Sequence, residues 1–198
     1  MTALRKASAA ITGAAPFAIR AERASDVAAR EALLDAGFGR NRRARTCQRL
    51  REGRAPADGL AFTAVHRGRL VGTVRLWHVS AGGIPALVLG PLAVDSSCRN
   101  LGIGAALVAH ALAAAKARGH GAIILLGDAP YYARFGFSTD KTGELALPGP
   151  FERERLLGLE LRPGALDGAW GMIVPTGMTA RRARPVAGNI RQLALQSA

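Results

Sequence analysis

The chain has 198 residues, 49% of them hydrophobic, and a formal net charge of +13 from 27 Lys and Arg against 14 Asp and Glu. This length and hydrophobic content are typical of one domain with a substantial core and exclude a fully disordered chain. No apolar run approaches the roughly 20 residues that a membrane-spanning helix needs, so we expect no membrane partner. The charge favours polyanionic partners, or a ligand that carries several phosphates.

Cysteine and histidine are too few and too scattered for a disulfide framework or a metal site. The two cysteines, Cys47 and Cys98, suit a reducing compartment, and we therefore expect a cytoplasmic protein. The four histidines have no zinc-ligand spacing, so we expect no metal.

The first predicted elements follow an N-terminal tail at residues 1–15. A short strand at 17–20 precedes a helix over 27–36. Ser25-Asp26 offers the N-cap of that helix, and Gly37 offers its end.

Seven arginines lie between residues 40 and 54. We predict a helix with a basic face over 44–51. Two interpretations stay open: a solvated helix, or a wall of an acceptor site or contact with an acidic partner.

Three strands then form an antiparallel meander. Strands at 60–66 and 70–79 are joined by Arg67-Gly68-Arg69, which suits a tight hairpin. After the turn at 80–83, the third strand begins at Pro85.

A helix over 102–118 and a continuous apolar strand at 122–126 follow the meander. Because the strand comes after a helix, we expect it to be buried and parallel to the strand that ends before Asp95. A short helix capped by Asp128 or Ala129 ends near Gly136. Weaker strand predictions lie at 143–150, 156–161 and 172–174. The chain is therefore one α/β domain at 16–175, followed by a basic tail at 176–198.

The stretch from Leu87 to Ala105 combines three kinds of local structure. Gly90-Pro91 interrupts an apolar strand, and Pro91 has no N–H to give a neighbouring strand. A polar loop at 96–100 then leads to Gly102-Ile103-Gly104 at a helix start. Free backbone N–H groups and the positive end of a helix dipole form an anion site, and phosphate is the usual anion.

Two motifs resemble those of the GCN5-related N-acetyltransferases, the GNAT family. The helix start is Arg99-Asn100-Leu101-Gly102-Ile103-Gly104-Ala105, which resembles the acyl-CoA loop Arg/Gln-x-x-Gly-x-Gly/Ala. The preceding Leu92-Ala93-Val94 resembles the family's cofactor-pairing strand. Further on, the segment Tyr131-Tyr132-Ala133-Arg134-Phe135-Gly136-Phe137 resembles the family's Tyr-x-x-x-Gly-Phe.

The resemblance implies an acyl-CoA N-acyltransferase fold of the α/β (α+β) class. Its mixed central sheet would have about six or seven strands flanked by helices, with two parallel strands splayed at the cofactor cleft. It implies an enzyme that transfers an acetyl group from the co-substrate acetyl-CoA to a primary amine by direct attack. The acceptor would be an unidentified small-molecule or peptide amine.

The same resemblance assigns roles to residues of this chain. Leu92 would donate its N–H to the thioester oxygen, and Tyr132 would be the general acid that protonates the leaving thiolate. The cofactor-binding residues would be Leu92, Ala93, Val94, Arg99, Asn100, Leu101, Gly102, Ile103, Gly104, Ala105 and Tyr132.

The general base is left open by the sequence. Some family members place His or Glu at positions that match Val88, Leu89 and Gly90, none of which titrates. Candidates elsewhere are His78, Glu31 and Asp128, each with a structural alternative. Cys98 lacks an activating histidine and is expected to take no part.

Two alternatives to an enzyme remain. One is a sensor that binds acyl-CoA without catalysis. The other is a basic protein associated with nucleic acid, which the charge favours but no recognisable binding motif supports. A homodimer is compatible with the enzyme and with both alternatives.

Overall fold

A computed structural model describes residues 16–180 of the chain. The strands are β1 (Ala18–Ala21), β2 (Ala61–His66), β3 (Arg69–Ala81), β4 (Ile84–Val94), β5 (Ala122–Leu126), β6 (Leu145–Ala146), β7 (Leu156–Glu160) and β8 (Gly171–Pro175). The helices are α1 (Val27–Phe38), α2 (Ile103–Ala117) and α3 (Ala129–Ala133). The predicted tail at 1–15 lies outside the described residues.

The strands form one mixed sheet in the order β1-β2-β3-β4-β5-β7, and β8 pairs with β3 and β6. The sheet has eight strands rather than six or seven, because the weakly predicted segments at 143–150 and 172–174 contribute β6 and β8. The predicted meander of β2, β3 and β4 is confirmed. Its first turn is the two residues Arg67-Gly68, both with positive φ, and Arg69 already pairs with His66.

Helices α1 and α2 pack on opposite faces of the sheet. Ala93 of β4 packs with Leu33 and Leu34 of α1. A Cβ on Gly72, a neighbour of Thr73 that pairs with Ala93, would touch Ile103 and Leu107 of α2. Successive strand residues face opposite sides, so the two helices cover the two faces.

Helix α1 runs two residues beyond its predicted end. Gly37 keeps a helical conformation, and the chain leaves the helix at Gly39, whose φ is 79°. Tertiary packing explains the difference, since the position of a Cβ on Gly37 lies 3.8 Å from the Cβ of Ala93. Asp26 is the N-cap residue of α1 as predicted, without a capping bond from its side chain, and it ends a 3₁₀ turn, Ala24–Asp26.

Helix α2 agrees closely with the prediction. It begins after Gly102 and is followed by Gly119, which has a φ of 78°. One apolar stripe of α2 is buried in the core except for half-buried Leu112. The fully buried members are Ile103, Leu107, Val108, Ala111 and Ala115. Each large member stabilises the fold by about 1.5–3 kcal/mol through burial.

The arginine-rich segment is not the predicted helix over 44–51. It forms two short 3₁₀ helices, Arg40–Ala44 and Thr46–Leu50. Its side chains bond to the rest of the fold: Arg49 donates to the carbonyl of Pro148, and Thr46 donates to that of Pro150 at 2.5 Å. Contacts distant in sequence therefore override the local helical pattern.

The predicted tail begins at residue 176, but its first residues form backbone hydrogen bonds with the rest of the fold. Ala55 N–H donates to Met178 O at 2.9 Å, and Ala180 N–H donates to Gly53 O at 2.8 Å. Thr179 bridges Arg54. The remainder of that predicted tail lies outside the described residues.

Candidate functional site

Strands β4 and β5 pair over only a short length and then separate. The parallel pairing consists of Leu87 with Ile123 and Val88 with Ile124. Beyond it, Gly90-Pro91 stands opposite the single residue Arg75, because the β3–β4 register passes from Leu76–Leu89 to Val74–Leu92. The predicted interruption at Gly90-Pro91 is therefore a bulge, and it opens the cleft between the two parallel strands.

The direction of the backbone groups in this cleft follows from the β3–β4 ladder. Asp95 N–H donates to Val71 O at 2.8 Å, so Asp95 is in a hydrogen-bonded pair. Alternate residues of an antiparallel ladder share this property. Ala93 therefore bonds to β3, whereas the N–H and C=O groups of Leu92 and Val94 point towards the gap beside β5. The backbone N–H and C=O groups of Leu92 and Val94 are therefore open to the cleft, whereas those of Ala93 are bonded to β3.

The glycine loop lies directly after β4. Asp95 accepts hydrogen bonds from Ser97 N–H and Oγ at 2.9 and 2.7 Å, which lower the pKa of its carboxyl. A 3₁₀ helix, Ser96–Leu101, replaces the predicted irregular loop. Gly102 then adopts a left-handed conformation with φ 71° and accepts the first α2 bond, from Ala106 N–H at 3.0 Å.

The start of α2 leaves backbone donors free. The N–H groups of Ile103, Gly104 and Ala105 precede the first helical hydrogen bond and have no partner within the helix. Arg99, Asn100 and Leu101 are exposed beside them. With the positive end of the helix dipole, these donors form a site for an anion. The Arg99 side chain also lines a groove beside α1.

Tyr132 is held at the other side of the cleft by α3. Asp128 caps this helix by accepting from Tyr131 N–H at 3.2 Å. The Tyr132 ring makes edge contacts with Tyr131 and Phe137, at centroid distances of 5.0 and 5.8 Å. Burial, followed by the nearby Tyr131 and Asp128, raises the pKa of Tyr132 to about 12, so its phenol keeps its proton near neutral pH.

The two neighbouring tyrosines have different environments. Tyr132 lines the cavity described below. The Tyr131 hydroxyl lies 3.2 Å from the position that a Cβ on Gly104 would take, at the start of α2. The Arg134 guanidinium covers the Tyr131 ring at 4.7 Å. The two side chains diverge because consecutive helical residues point about 100° apart.

A cavity of about 550 Å³ opens where β4 and β5 separate. Its floor contains Gly90, Pro91 and Leu92, and Tyr132 forms part of its wall. The arginine-rich segment and the chain around Phe151 complete the wall. The charged residues that line it are Arg42, Arg45, Arg51, Asp128, Glu152 and Arg155.

Two of the three candidate bases, Glu31 and His78, do not line this cavity. Burial would raise the pKa of Glu31, but hydrogen bonds from Arg30 and Arg42 lower it to about 2, and Glu31 is an ion-pair partner rather than a proton acceptor. His78 stacks near His120, at a centroid distance of 5.4 Å, and does not line the cavity. Asp128 does line it.

Several lining residues escaped the sequence reasoning. Gly127 supports the Tyr132 ring, while Phe151, Glu152 and Arg155 come from a segment predicted only as a loop and a weak strand. The nearest sequence signal is Pro148-Gly149-Pro150, which marks a rigid connection but not the cavity it borders.

Other reactive groups in the described residues have structural surroundings. Cys98 is buried, and its nearest polar contact is Ser97 Oγ at 3.7 Å. Within residues 16–180, no group of three or more His, Cys, Asp and Glu side chains could hold a metal ion. Over the same range, no helix has the length and apolar character needed to cross a membrane.

The separated parallel strands, the glycine loop at a helix start and the tyrosine at the cleft are the features that the resemblance to acyl-CoA-dependent acyltransferases implied. An acetyltransferase (GNAT) domain model matches residues 57–139. Over 157 residues the chain is 30% identical to the uncharacterized N-acetyltransferase YhbS of Escherichia coli strain K12, covering 78% of this chain and 93% of that protein. The chain belongs to the GNAT family, whose members transfer acyl groups from CoA.

Solved structures agree with this assignment. The E. coli GNAT family N-acetyltransferase YhbS, in complex with CoA, superposes with a TM-score of 0.71 and 28% identity, covering 83% of this chain and 92% of that one. A GNAT family acetyltransferase from Brucella melitensis, in complex with acetyl-CoA, gives a TM-score of 0.59 and 25% identity, covering 86% and 98%. The predicted family and fold class are confirmed.

Proposed function

We propose that this chain transfers an acetyl group from acetyl-CoA to a primary amine by direct attack. The observation that carries the proposal is the cleft between β4 and β5, where Leu92 lines the cavity with Tyr132 and Val94 lies beside Gly104 at the start of α2. The acetyl-CoA and CoA bound by the two similar structures support the choice of donor.

In this proposal the cleft binds the donor along its length. The N–H groups at the start of α2, from Gly102 to Ala105, bind the diphosphate, and exposed Arg99 adds positive charge. The polar backbone groups of Leu92 and Val94 pair with the pantetheine amides as a neighbouring strand would. Ala93 contributes packing only, because its backbone groups engage β3.

The reaction forms a C–N bond and breaks the C–S bond of the thioester. The neutral amine attacks the carbonyl carbon, and Leu92 N–H donates to the oxygen on which negative charge develops. As the sulfur leaves with the bonding pair, Tyr132 Oη–H gives it a proton. The amine loses its own proton to Asp128, directly or through water, and Asp128 is the candidate base that lines the cavity.

Two alternatives to an enzyme were left open, a protein associated with nucleic acid and a sensor of acyl-CoA. A nucleic-acid contact would need exposed cations, yet Arg42 and Arg54 are half-buried and bond to other groups of the fold. A sensor would bind acetyl-CoA without turnover. We also keep the cytoplasm as the proposed compartment, since Cys47 and Cys98 are both free thiols.

Acetyl-CoA is expected to stabilise the chain against heat. At a hundred times its dissociation constant, a ligand that binds only the folded state adds about 2.7 kcal/mol. A thermal melt with up to millimolar acetyl-CoA measures this shift, and thiol release with a panel of amines measures turnover. No shift would contradict both enzyme and sensor, whereas a shift without turnover would favour the sensor.

Gly104→Val is expected to weaken acetyl-CoA binding. Its Cβ would lie 3.2 Å from the Tyr131 hydroxyl and 3.6 Å from Val94 Cγ2, which leaves no room for a phosphate at the helix start. Losing one charge-assisted hydrogen bond of about 1.5–3 kcal/mol corresponds to about a 10- to 100-fold weaker affinity, measured by calorimetry.

The matched control is Ala109→Val, which places the same β-branched side chain on an exposed position of α2. It introduces the same β-branched side chain into the same helix but lies away from the glycine loop. Equal acetyl-CoA affinity in the Gly104 variant and this control would show that the start of α2 does not hold the phosphates.

A further inference from the structure

The arginines near the cavity differ in whether they have an acidic partner. Arg42 binds Asp35 at 2.6 Å and Glu31 at 2.5 Å. Arg75 binds Glu22 through its Nε at 2.7 Å, as well as through a terminal nitrogen. The charge of Arg42 is therefore balanced by carboxylates of α1, that of Arg75 by Glu22, and Arg155 on the cavity wall lies 3.6 Å from Glu152.

Within residues 16–180, Arg45 and Arg51 line the cavity without an ion-pair partner, and Arg51 is the more buried of the two. Its Nε donates to the amide oxygen of Gln48 at 3.1 Å, and within residues 16–180 no carboxylate pairs with its terminal nitrogens. Burial, together with the nearby charges of Arg42 and Arg75, lowers the pKa of Arg51 to about 10. A half-buried cation without a counter-charge is costly, and an anion at the cavity wall would offset that cost.

The position of this guanidinium connects it to the proposed chemistry. Arg51 Nη1 lies 3.6 Å from the position that a Cβ on Gly90 would take. Gly90 precedes Leu92 by two residues, a distance of at most about 7 Å along the chain. An anion bound by Arg51 would therefore lie only a few bonds from an amine placed for attack at Leu92.

We propose that the natural acceptor is a small amine that carries an oxyanion, a carboxylate or a phosphate, within a few bonds of its amino group, and that Arg51 binds this oxyanion. The inference rests on the proposed acetyl transfer. A planar guanidinium with two free terminal nitrogens matches the two oxygens of either group. Asp128, on the same cavity wall, supplies the complementary negative charge for the amine.

The wall also disfavours the other acceptor classes. On the cavity wall, Arg42 and Arg155 have acidic partners, which leaves the two unpaired cations Arg45 and Arg51 against the one carboxylate of Asp128. A polyamine would bring further positive charge to this surface and be repelled. A cavity of about 550 Å³, shared with the end of the donor, suits a small molecule.

The first test uses the unaltered chain and matched pairs of acceptors. Amino acids of several side-chain types are compared with their carboxamides, and aminoalkyl or amino-sugar phosphates with their dephosphorylated forms, by thiol release from acetyl-CoA. We expect the anionic member of the best pair to have a kcat/KM about 10- to 100-fold higher, as expected for a charge-assisted contact. The series with the larger ratio of kcat/KM, carboxylate or phosphate, identifies the source of the oxyanion.

The second test assigns the preference to Arg51. In Arg51→Met the preference should fall to near unity through a higher KM for the anionic acceptor, while Arg51→Lys should retain part of it. The control is Arg43→Met, which removes an equal charge from the same segment but affects an exposed side chain off the cavity. A thermal melt checks that each variant folds.

Binding separates this inference from the proposed function. Calorimetry with the CoA complex compares the affinities of the two members of each pair without requiring turnover. Tighter binding of the anionic member in the absence of turnover would support the acceptor class and contradict the enzyme. Turnover with equal kcat/KM for anionic and neutral acceptors would overturn the acceptor class and keep the enzyme. An Arg51→Met effect on the KM of acetyl-CoA alone would also overturn it.

Discussion

Tyr132→Phe is expected to lower kcat by about 10²–10⁴-fold with little change in acetyl-CoA affinity. The substitution keeps the ring that packs on Tyr131 and Phe137 and removes only the proton donor. Since burial raises the pKa of Tyr132 to about 12, the phenol is fully protonated at neutral pH and can act as an acid. The same dry environment raises the proton affinity of the leaving thiolate, which favours the transfer.

Tyr131→Phe is the matched control, because it removes the same group from the adjacent residue of α3. Single-turnover rates measured by rapid quench separate the chemical step from product release. Loss of activity in Tyr131→Phe with full activity in Tyr132→Phe would exchange the two roles. Full activity in both variants would exclude a tyrosine as the acid and leave the protonation to water.

The elements that position the donor were predictable because their signals are local. Gly90-Pro91 predicts the bulge, and Gly102 with Gly104 predicts the helix start, because the backbone preferences of Gly and Pro hold in any fold. The periodic apolar residues of α2 and the uninterrupted apolar run of β5 likewise identify their own burial. These features needed no knowledge of distant contacts.

The acceptor side of the cavity could not be predicted in the same way. The segment Arg40–Leu50 has a helical pattern, yet bonds from Thr46 and Arg49 to residues about a hundred positions later hold it as two 3₁₀ helices. Glu152 and Arg155 reach the cavity only because β7 returns beside β5. No local pattern encodes which of the unpaired arginines is partly buried at the cavity wall, as Arg51 is.

The direction of the backbone groups at Leu92, Ala93 and Val94 could be predicted only in part. The motif alone named Leu92, Ala93 and Val94 together as cofactor-binding residues. The hydrogen bond from Asp95 to Val71 then divides them, since it commits the backbone of Ala93 to β3. A register that differs by one residue would have reversed this division, and the sequence does not fix a register across a bulge.

Gly127→Ala is expected to lower kcat by about 10²-fold while the fold remains intact. The added Cβ would lie 2.4 Å from Cε2 and 2.8 Å from Cδ2 of the Tyr132 ring, so the ring must move. The backbone cannot give way easily, because Gly127 N–H donates to Arg155 O at 2.9 Å and its carbonyl accepts from Arg155 Nε at 3.4 Å. A displacement of about 1 Å at a reacting group can cost about 10²-fold.

A double-mutant cycle tests whether this loss passes through the hydroxyl of Tyr132. With Tyr132→Phe already present, Gly127→Ala should lower kcat little further, because the proton donor that it displaces is absent. Gly143→Ala is the control, since a Cβ there meets nothing within 4 Å and Gly143 has no positive φ. Independent, multiplicative losses in the double variant would show that Gly127 acts on the reaction by another route, such as the shape of the cavity itself.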